Sequence, residues 1–316
     1  MRKKLFFLFL VTSTIGFSQK NYSKEFSLLS DNDLYTSVTR DKYYTNGLFL
    51  SYRFLKPSNS IKREKTIIEY QLGHMMYTPL KYRIASPKAH DRPFAGFLFA
   101  KYGVSRFYKN QNVFKTAIQI GVIGPSAKGK ELQSFIHNIL GIIKPKGWDQ
   151  QIKDAIAINF TGDYLKFLAA DNTNHFDISS FNTLRVGTIF TDISTGFYSR
   201  LGFKSLQKLS NSVGFHSNLN TSTGKTTTKK ESFLYIKPMF TYVIYDATIE
   251  GSFLNDGSPL TFDVMPLKFS FEAGFRYTTN RFTYGYTILF HTKKLKSVLA
   301  KKNNFYGSIH INYLFN

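Results

Sequence analysis

The chain has 316 residues, with 42 Lys and Arg against 20 Asp and Glu, and a formal net charge of +22. It contains no cysteine, which excludes disulfides and a thiolate nucleophile. So strong a positive charge favours anionic partners such as phosphate groups, lipid headgroups or polyanions.

The first residues predict export from the cytoplasm. Basic residues occupy positions 2–4, an apolar run covers 5–15, and small residues stand at Gly16 and Ser18. This is the pattern of a secretory signal peptide, which we assign to residues 1–18. The apolar run is shorter than the roughly 20 residues needed to span a bilayer as a helix. Export, together with the absence of a recognisable binding module, argues against nucleic acid as a partner.

The mature chain, residues 19–316, is predicted to be one outer-membrane domain. Aromatic residues make up 17% of the sequence, with 20 Tyr and 32 Phe, while the hydrophobic content is only 42%. That composition suits a barrel in which one strand face meets lipid and the other a polar lumen. About twelve segments alternate in this way, so we predict an all-β, transmembrane antiparallel β-barrel of about 12 strands.

The second segment, residues 43–55, illustrates the alternation. One predicted face suits lipid and the other suits a lumen; their members are Tyr44, Asn46, Leu48, Leu50, Tyr52 and Phe54 on the first and Thr45, Gly47, Phe49, Ser51 and Arg53 on the second. The seventh and eighth strands are predicted over 181–190 and 196–203. Between the eighth and ninth lies the polar segment 217–231, which we predict to be a flexible loop. Strand parity places this loop on the periplasmic side, where turns are usually short. The length of the loop therefore conflicts with the strand assignment between residues 182 and 233.

One short extracellular helix is predicted within residues 126–141. An apolar stripe at helical spacing comprises Leu132, Phe135, Ile136, Ile139 and Leu140. Ser126 is the expected N-terminal cap, and Gly141 is expected to end the helix.

Strand parity also brings distant polar residues to one rim of the barrel. With the mature N-terminus in the periplasm, odd strands end outside and even strands begin there. Asn32 and Asp33 then end the first strand and Thr45 begins the second. Lys81 follows the third strand, and the helix that carries His137 follows the fifth.

Two chemistries are possible at this rim. The adjacent Asp31, Asn32 and Asp33 offer the hard oxygen ligands that Ca²⁺ prefers, although Asp and Asn also occur at solvated strand ends. His137 is suited to proton transfer, although a histidine in such a helix can equally be structural. No GxSxG motif is present, so a serine hydrolase lacks its nucleophile.

Five segments carry a resemblance to a known family: DNDLY, DKYYTNGLFLSY, YTPLKYRIASPKAHDRPFAGFLF, IGVIGPSAKGKELQSFIHNILG and PKGWDQQI. In this order they resemble the outer-membrane lipid A 3-O-deacylase family, over essentially the whole mature chain. The resemblance implies a twelve-stranded barrel that removes ester-linked acyl chains from the 3′ position of lipid A, with Ca²⁺ as cofactor.

The resemblance also implies site residues. The Asn-Asp pair of the family falls on Asn32 and Asp33, which would hold Ca²⁺, its hydroxyl residue on Thr45, and its helix histidine on His137. Its lysine falls on Lys81, with Arg83 and Lys88 as alternatives in the same loop. His137 would act as the general base and Lys81 would stabilise the oxyanion; His90, beside Asp91, is the next candidate for the base.

Three functions therefore compete. An enzyme would act on lipid A or lipopolysaccharide among outer-membrane lipids, as a monomer with its site facing the outer leaflet. A passive channel would have an open lumen and would not depend on His137. A non-catalytic family member would keep the barrel and bind lipid without turnover.

Overall fold

The computed structural model describes residues 21–36, 43–57, 60–81, 84, 86–141, 145–221 and 230–316. The predicted signal peptide therefore lies outside the described residues. Twelve strands, β1 to β12, dominate the fold: Lys24–Asn32, Tyr43–Lys56, Arg63–Thr78, Ala95–Tyr108, Val113–Ile123, Ala155–Ala170, Phe176–Gly187, Phe190–Gly202, Ser232–Asp246, Leu267–Thr278, Phe282–Thr292 and Asn303–Phe315. Two helices accompany them, α1 at Gly129–Leu140 and the short α2 at Ala247–Glu250. In the described part of the chain, no helix is both long enough and apolar enough to cross a membrane.

The strands form one closed antiparallel barrel in sequence order, and the first strand pairs with the last. The predicted twelve-stranded barrel is thus confirmed. Lys24 pairs with Phe315 of β12 and with Phe54 of β2, so the start of β1 and the end of β12 lie at one end of the barrel, here called the terminal end. The opposite end, here called the loop end, carries α1 and α2.

Side chains alternate between the outer wall and the lumen along each strand, as the pleat requires. On β3, Tyr70 and Leu72 are 52% and 60% exposed on the outer wall. On β1, the lumen-facing Asp31 is buried and accepts a 2.8 Å hydrogen bond from the hydroxyl of Tyr44. The prediction that Tyr44 faces lipid is therefore wrong. A β-bulge between Tyr44 and Asn46 adds one residue to β2 and shifts the alternation there.

Aromatic and aliphatic side chains fill the lumen toward the loop end. The buried cluster includes Tyr44, Tyr77, Phe97, Phe99, Ile123, Ile189 and Phe190. Tyr44 contacts Tyr77 and Tyr306 with ring centroids 5.3 and 4.7 Å apart. This part of the barrel is a packed core.

A chain segment fills the lumen toward the terminal end. Residues 206–220, here called the lumen block, contribute Leu206, Leu209, Val213, Phe215 and Leu219 to a second buried cluster with Ile67, Phe107, Leu165 and Phe233 of the wall. The ammonium group of Lys65 donates to the carbonyl of Ser217 at 2.6 Å and to Oδ1 of Asn220 at 3.1 Å. Both apolar contacts and buried hydrogen bonds therefore hold the block in place.

A buried ionic cluster fastens the start of the lumen block to the wall. Arg200 is fully buried and pairs with Asp177 across β7 and β8, and with Glu231 just before β9. Glu231 also accepts hydrogen bonds from Ser212 Oγ at 2.8 Å and from the Val213 amide at 2.9 Å. One cation faces two carboxylates, and the hydrogen bonds from Ser212 and Val213 supply the further donors that a buried carboxylate needs.

The lumen block corrects two predictions. Residues 217–220 and Glu231 are buried, so that part of 217–231 is not a flexible loop; residues 222–229 lie outside the described ranges. The connection does lie at the terminal end, as parity predicted, and its length reflects the inserted segment. The predicted seventh and eighth strands were wrong in their bounds, because residues 188–189 link β7 to β8 directly.

Candidate functional site

Helix α1 lies against the outer face of the barrel wall. Met76 and Phe94 point to that face and form a buried cluster with Trp148, against which Leu132 and Ile136 of α1 pack. A Cβ atom on Gly96 of β4 would lie 3.3 Å from the Cα of Gly129. Because both positions lack side chains, the helix can begin directly on the wall.

The ends of α1 are set by two left-handed residues. Lys128 precedes the helix at φ 60° and Gly141 follows it at φ 68°, and the Gly141 amide donates to the carbonyl of His137. The predicted end at Gly141 is confirmed. The predicted Ser126 cap is wrong. Ser126 lies in the turn Pro125–Ala127 that precedes the helix, and the Ser126 amide donates to Asp154 Oδ1 at 2.7 Å.

The apolar stripe of α1 divides between two environments. Leu132 and Ile136 face the wall, whereas Phe135 and Ile139 are 61% and 67% exposed. The side chain of Leu140 lies outside the described part of the structure. Two large apolar side chains are thus left on the side of the helix away from the barrel.

The buried face of α1 also carries Gln133 and His137, one turn apart and 3% and 4% exposed. The indole Nε1 of Trp148 donates to Gln133 Oε1 at 2.7 Å. His137 follows Ile136, which packs against the cluster of Met76, Phe94 and Trp148, and the His137 side chain is itself buried.

Thr45 is the extra residue of the bulge in β2. Its neighbours Tyr44 and Asn46 pair with the consecutive residues Tyr77 and Met76, and Thr45 has no partner of its own in the strand pairing. Its hydroxyl instead lies 3.1 Å from the Thr78 hydroxyl and donates to the Met76 carbonyl at 3.4 Å. The bulge thus directs Thr45 toward the same β3 residues that support α1.

Asn32 and Asp33 lie one strand further along the rim. Asn32 is the last residue of β1 and pairs with Asn46 of β2, so Asp33 and Thr45 occupy the next positions across this strand pair. The amide oxygen of Asn32 accepts from the Leu34 amide at 2.8 Å and begins a single turn over Asp33–Tyr35. Asp33 is 1% exposed.

Strands β11 and β12 hold this turn from the other side. The hydroxyl of Tyr286 donates to the carbonyl of Tyr35 at 2.8 Å. A Cβ atom on Gly307 would lie 2.7 Å from the Cβ of Tyr35, so glycine is needed for the turn to contact the wall. Asn32, Asp33 and Thr45 therefore lie together at one corner of the loop end, and His137 lies at the same end on the buried face of α1.

The donors at this corner are of the type that binds a hard cation. The Asp33 carboxylate, the Asn32 amide oxygen and the Thr45 hydroxyl are all oxygen donors, as Ca²⁺ requires. Among the described residues, no group of three or more His, Asp or Glu side chains is placed to hold a metal ion. A calcium ion here would therefore need main-chain carbonyls, water or substrate oxygens beside Asp33 and Asn32, which Ca²⁺ sites commonly use.

The predicted lysine is not brought into the corner by any described contact. Lys81 and Lys88 are exposed, and Arg83 lies outside the described residues. The carbonyl of Lys81 accepts from the Ile84 amide at 3.0 Å, which forms a turn after β3. The role of Lys81 stays a prediction.

His90 and Asp91, by contrast, shape the loop that carries Lys81. His90 is 2% exposed, and its Nε2 donates to the Ile84 carbonyl at 2.6 Å. Asp91 Oδ1 accepts from the Leu80 amide at 2.9 Å. Sequence reasoning missed this tether, as it missed the Gln133 and Trp148 pair, because neither partner was identifiable without the fold.

Comparison with known proteins agrees with the fold. The family model described as Outer membrane protein LpxR matches residues 5–315. The chain belongs to the LpxR family. It is thus an outer-membrane β-barrel protein, as the sequence predicted.

The LpxR structure from Salmonella typhimurium matches with a TM-score of 0.73 at 19% identity, over 92% of this chain and 100% of that one. The match shows a shared fold. Two autotransporter domains superpose far less well, each with a TM-score of 0.42 at 8% identity: the β domain of Bordetella BrkA, over 93% of this chain and 100% of that one, and the NalP translocator domain of Neisseria meningitidis, over 93% and 88%. No curated protein sequence matches the chain.

Proposed function

We propose that this LpxR-family chain is a lipid A 3-O-deacylase that hydrolyses the ester-linked 3′-acyloxyacyl chain of lipid A. The observation that carries the proposal is the position of the buried polar residues. Asp33 and Thr45 are buried at the loop end of β1 and β2, and His137 is buried on the side of α1 whose Leu132 and Ile136 pack on the outer wall. A site there can receive an ester group from a membrane lipid without extracting it from the bilayer.

The surroundings of the corner suit an amphiphilic substrate. Phe135 and Ile139 expose apolar surface on α1, and Leu98 of β4 is 39% exposed on the wall beside it. Acyl chains would lie against these side chains while the sugar headgroup remains at the loop end. The net charge of +22 favours an anionic headgroup.

The hydrolysis assigns one role to each side chain. The imidazole of His137 removes a proton from a water molecule as the water oxygen attacks the ester carbonyl carbon. Lys81 stabilises the negative charge that develops on the carbonyl oxygen. When the ester C–O bond breaks, the proton passes from His137 to the sugar oxygen, leaving a free 3′-hydroxyl and a fatty acid.

Calcium completes the proposed site. Bound Ca²⁺ would polarise the ester carbonyl as a Lewis acid. Asp33 and Asn32 would hold it, with the Thr45 hydroxyl as the neighbouring polar group. Burial of Asp33 and Thr45 limits competition from bulk water.

The filled lumen counts against the passive channel. Two buried clusters and the lumen block occupy both halves of the barrel interior. A non-catalytic lipid-binding protein would keep the same packing, so the activity itself must be measured.

Mass spectrometry of lipid A from a Gram-negative host expressing the chain tests the proposal. We expect lipid A shortened by the 3′-acyloxyacyl group with the wild type, and a rate lower by roughly 10²–10⁴ with His137→Gln, the usual contribution of a positioned base. His175→Gln, at an exposed histidine near the terminal end, is the matched control. Intact lipid A with a folded wild type would reject the enzyme in favour of a lipid-binding protein.

The calcium requirement has a readout that does not depend on activity. Trp148 is the single tryptophan of the chain and contacts α1 beside the corner, so its fluorescence should change when Ca²⁺ binds. We expect Asp33→Asn to abolish that titration, whereas Asp256→Asn, an exposed carboxylate at the loop end, should not. A wild type that is active in chelator would remove Ca²⁺ from the proposal.

A further inference from the structure

A second polar site lies at the loop end, on the lumen side of the wall. A cavity of about 20 Å³ opens between the loop 293–302, the start of β2 and the start of β12. Four cationic side chains line it: Arg92, Lys293, Lys294 and Lys301. A single water needs about 10–15 Å³ by the same measure, so the enclosed part can take one oxygen atom of a ligand whose remaining atoms lie at the cavity mouth, and it excludes a sugar ring.

The loop that supplies three of these cations is held rigidly. Leu295 and Ala300 are buried against Ile249 and Val264, and Leu295 forms a β-bridge with Val264. The Lys301 amide donates to the Tyr43 hydroxyl at 2.6 Å. The backbone that carries the three lysines is thus held in place beside the cavity.

Two buried polar side chains at the cavity have atoms without a partner among the described residues. His291 and Asn304 face each other across β11 and β12 and are 5% and 2% exposed. His291 Nδ1 donates to the Thr292 carbonyl at 2.8 Å, but its Nε2 has no described partner, and neither has either amide atom of Asn304. Buried polar atoms are rarely left unpaired, so these point to a ligand or water in the cavity.

Positive charge exceeds negative charge around the cavity. Burial, and then the neighbouring Lys268, lower the pKa of Lys294 to about 7, and Arg92 and Arg185 act in the same direction. Asp246 opposes them, but its carboxylate accepts from the amide and hydroxyl of Thr248 at 2.9 and 2.6 Å. Arg185 pairs with Asp192, and no described carboxylate forms an ion pair with Lys293, Lys294 or Lys301.

We propose that this cavity binds a phosphate group and that, in the reaction proposed above, it receives a phosphate of lipid A. The phosphate oxygens accept hydrogen bonds from the lysine ammonium groups and from the Asn304 amide. Cations and amides of this kind form charge-assisted bonds with phosphate. The second half of the proposal rests on the proposed function, whereas the anion site itself does not.

Calorimetry on the detergent-folded protein tests the anion site directly. Inorganic phosphate is titrated at constant ionic strength into the His137→Gln background, which prevents turnover of lipid in later titrations. We expect Lys294→Gln to weaken binding about tenfold or more, the effect of one charge-assisted contact. Lys296→Gln is the matched control, because Lys296 lies in the same loop but outside the cavity and 56% exposed. Lys301→Gln provides a second variant should Lys294→Gln fail to fold.

Lipid A and its dephosphorylated form, in mixed micelles, distinguish the two sources of phosphate. Competition between inorganic phosphate and lipid A, lost with the dephosphorylated lipid, supports both halves of the proposal. Phosphate binding without competition from lipid A overturns the lipid assignment. The anion site itself is overturned if phosphate does not bind, or if Lys294→Gln and Lys296→Gln bind it equally well. In hydrolysis assays with His137 intact, Lys294→Gln should raise KM and leave kcat unchanged. Phosphate binding by a protein without deacylase activity would reject the proposed function alone.

Discussion

The indole nitrogen of Trp148 donates a 2.7 Å hydrogen bond to Gln133, one helical turn before His137. Both side chains are buried, at 1% and 3% exposure. The bond ties the residues that follow α1 to the face of α1 that carries the imidazole. It therefore fixes the rotation of the helix against the wall.

Replacing Trp148 by Phe should retain the ring and remove the donor. The buried Gln133 oxygen then loses its partner, which typically costs about 1–3 kcal/mol. We expect a folded barrel with slower lipid A hydrolysis, measured by mass spectrometry of timed samples. Trp148→Phe combined with Gln133→Leu removes both polar groups and should recover stability without recovering the rate. Unchanged hydrolysis in Trp148→Phe would show that the bond does not position His137.

A side chain at Gly129 should separate α1 from the wall. Its Cβ would lie 2.6 Å from the Trp148 ring and 3.3 Å from Gly96, so Gly129→Val cannot be accommodated without movement. We expect loss of deacylation while the unheated sample still migrates as a folded barrel on a gel. Ser134→Val introduces the same side chain on the same helix and should be tolerated. Equal rates for the two variants would contradict the contact.

A side chain at Gly307 should disturb calcium binding without touching a ligand. Its Cβ would lie 2.7 Å from that of Tyr35, and the turn Asp33–Tyr35 would have to move. We expect Gly307→Val to raise the Ca²⁺ concentration needed for half-maximal change in Trp148 fluorescence. Gly162→Val is the control, because no atom lies within 4 Å of its Cβ position. An identical titration in both variants would show that the position of the turn does not affect calcium binding.

Anion binding to the cavity beside Lys294 should depend on pH. The pKa of Lys294 is about 7 in the folded protein, lowered by burial and then by Lys268, so this ammonium group is neutral above that pH and charged below it. A bound anion favours the charged form, so affinity should rise as pH falls through about 7. Sulfate is the appropriate probe, because its own charge is constant over this range. The Lys294→Gln variant should lose this part of the pH dependence; a wild type with constant affinity from pH 6 to pH 8 would contradict the assignment.

Removing the cation of the buried cluster should destabilise the terminal end. Arg200→Met leaves Asp177 and Glu231 buried without their partner, and a broken buried pair typically costs about 3–5 kcal/mol. We expect the folded band of Arg200→Met on a gel to disappear at a lower temperature than that of the wild type. The triple change with Asp177→Asn and Glu231→Gln removes all three charges and should restore much of the loss. A single variant as stable as the wild type would show that the cluster does not hold the lumen block.

The strands were predictable because lipid on one side and the lumen on the other impose a two-residue alternation. The orientation of Tyr44 was not, because a bulge is a property of backbone pairing and Thr45 has no sequence signature that marks it. The lumen block was missed for a different reason. Ser212, Asn218 and Asn220 are of residue types typical of solvated loops. In the structure they are buried, and the side chains of Ser212 and Asn220 form hydrogen bonds with other protein groups.

The site was predicted in part. Parity brought Asn32, Asp33, Thr45 and His137 to one rim, and the structure gathers them there. It did not reveal that the helix carrying His137 lies against the outer face of the wall, because that contact depends on Gly96 and Gly129. The position of Lys81 relative to the corner stays a prediction.

The corner stands at the junction of the first strand and the last. Asn32 pairs with Gly307 of β12, and the turn that begins at Asp33 contacts both β11 and β12. The proposed calcium donors therefore acquire their support only when β1 pairs with β12 and the barrel closes. Assembly and activation would then be a single event: a chain still in transit through the periplasm could not attack lipid, and deacylation would report that the barrel has closed.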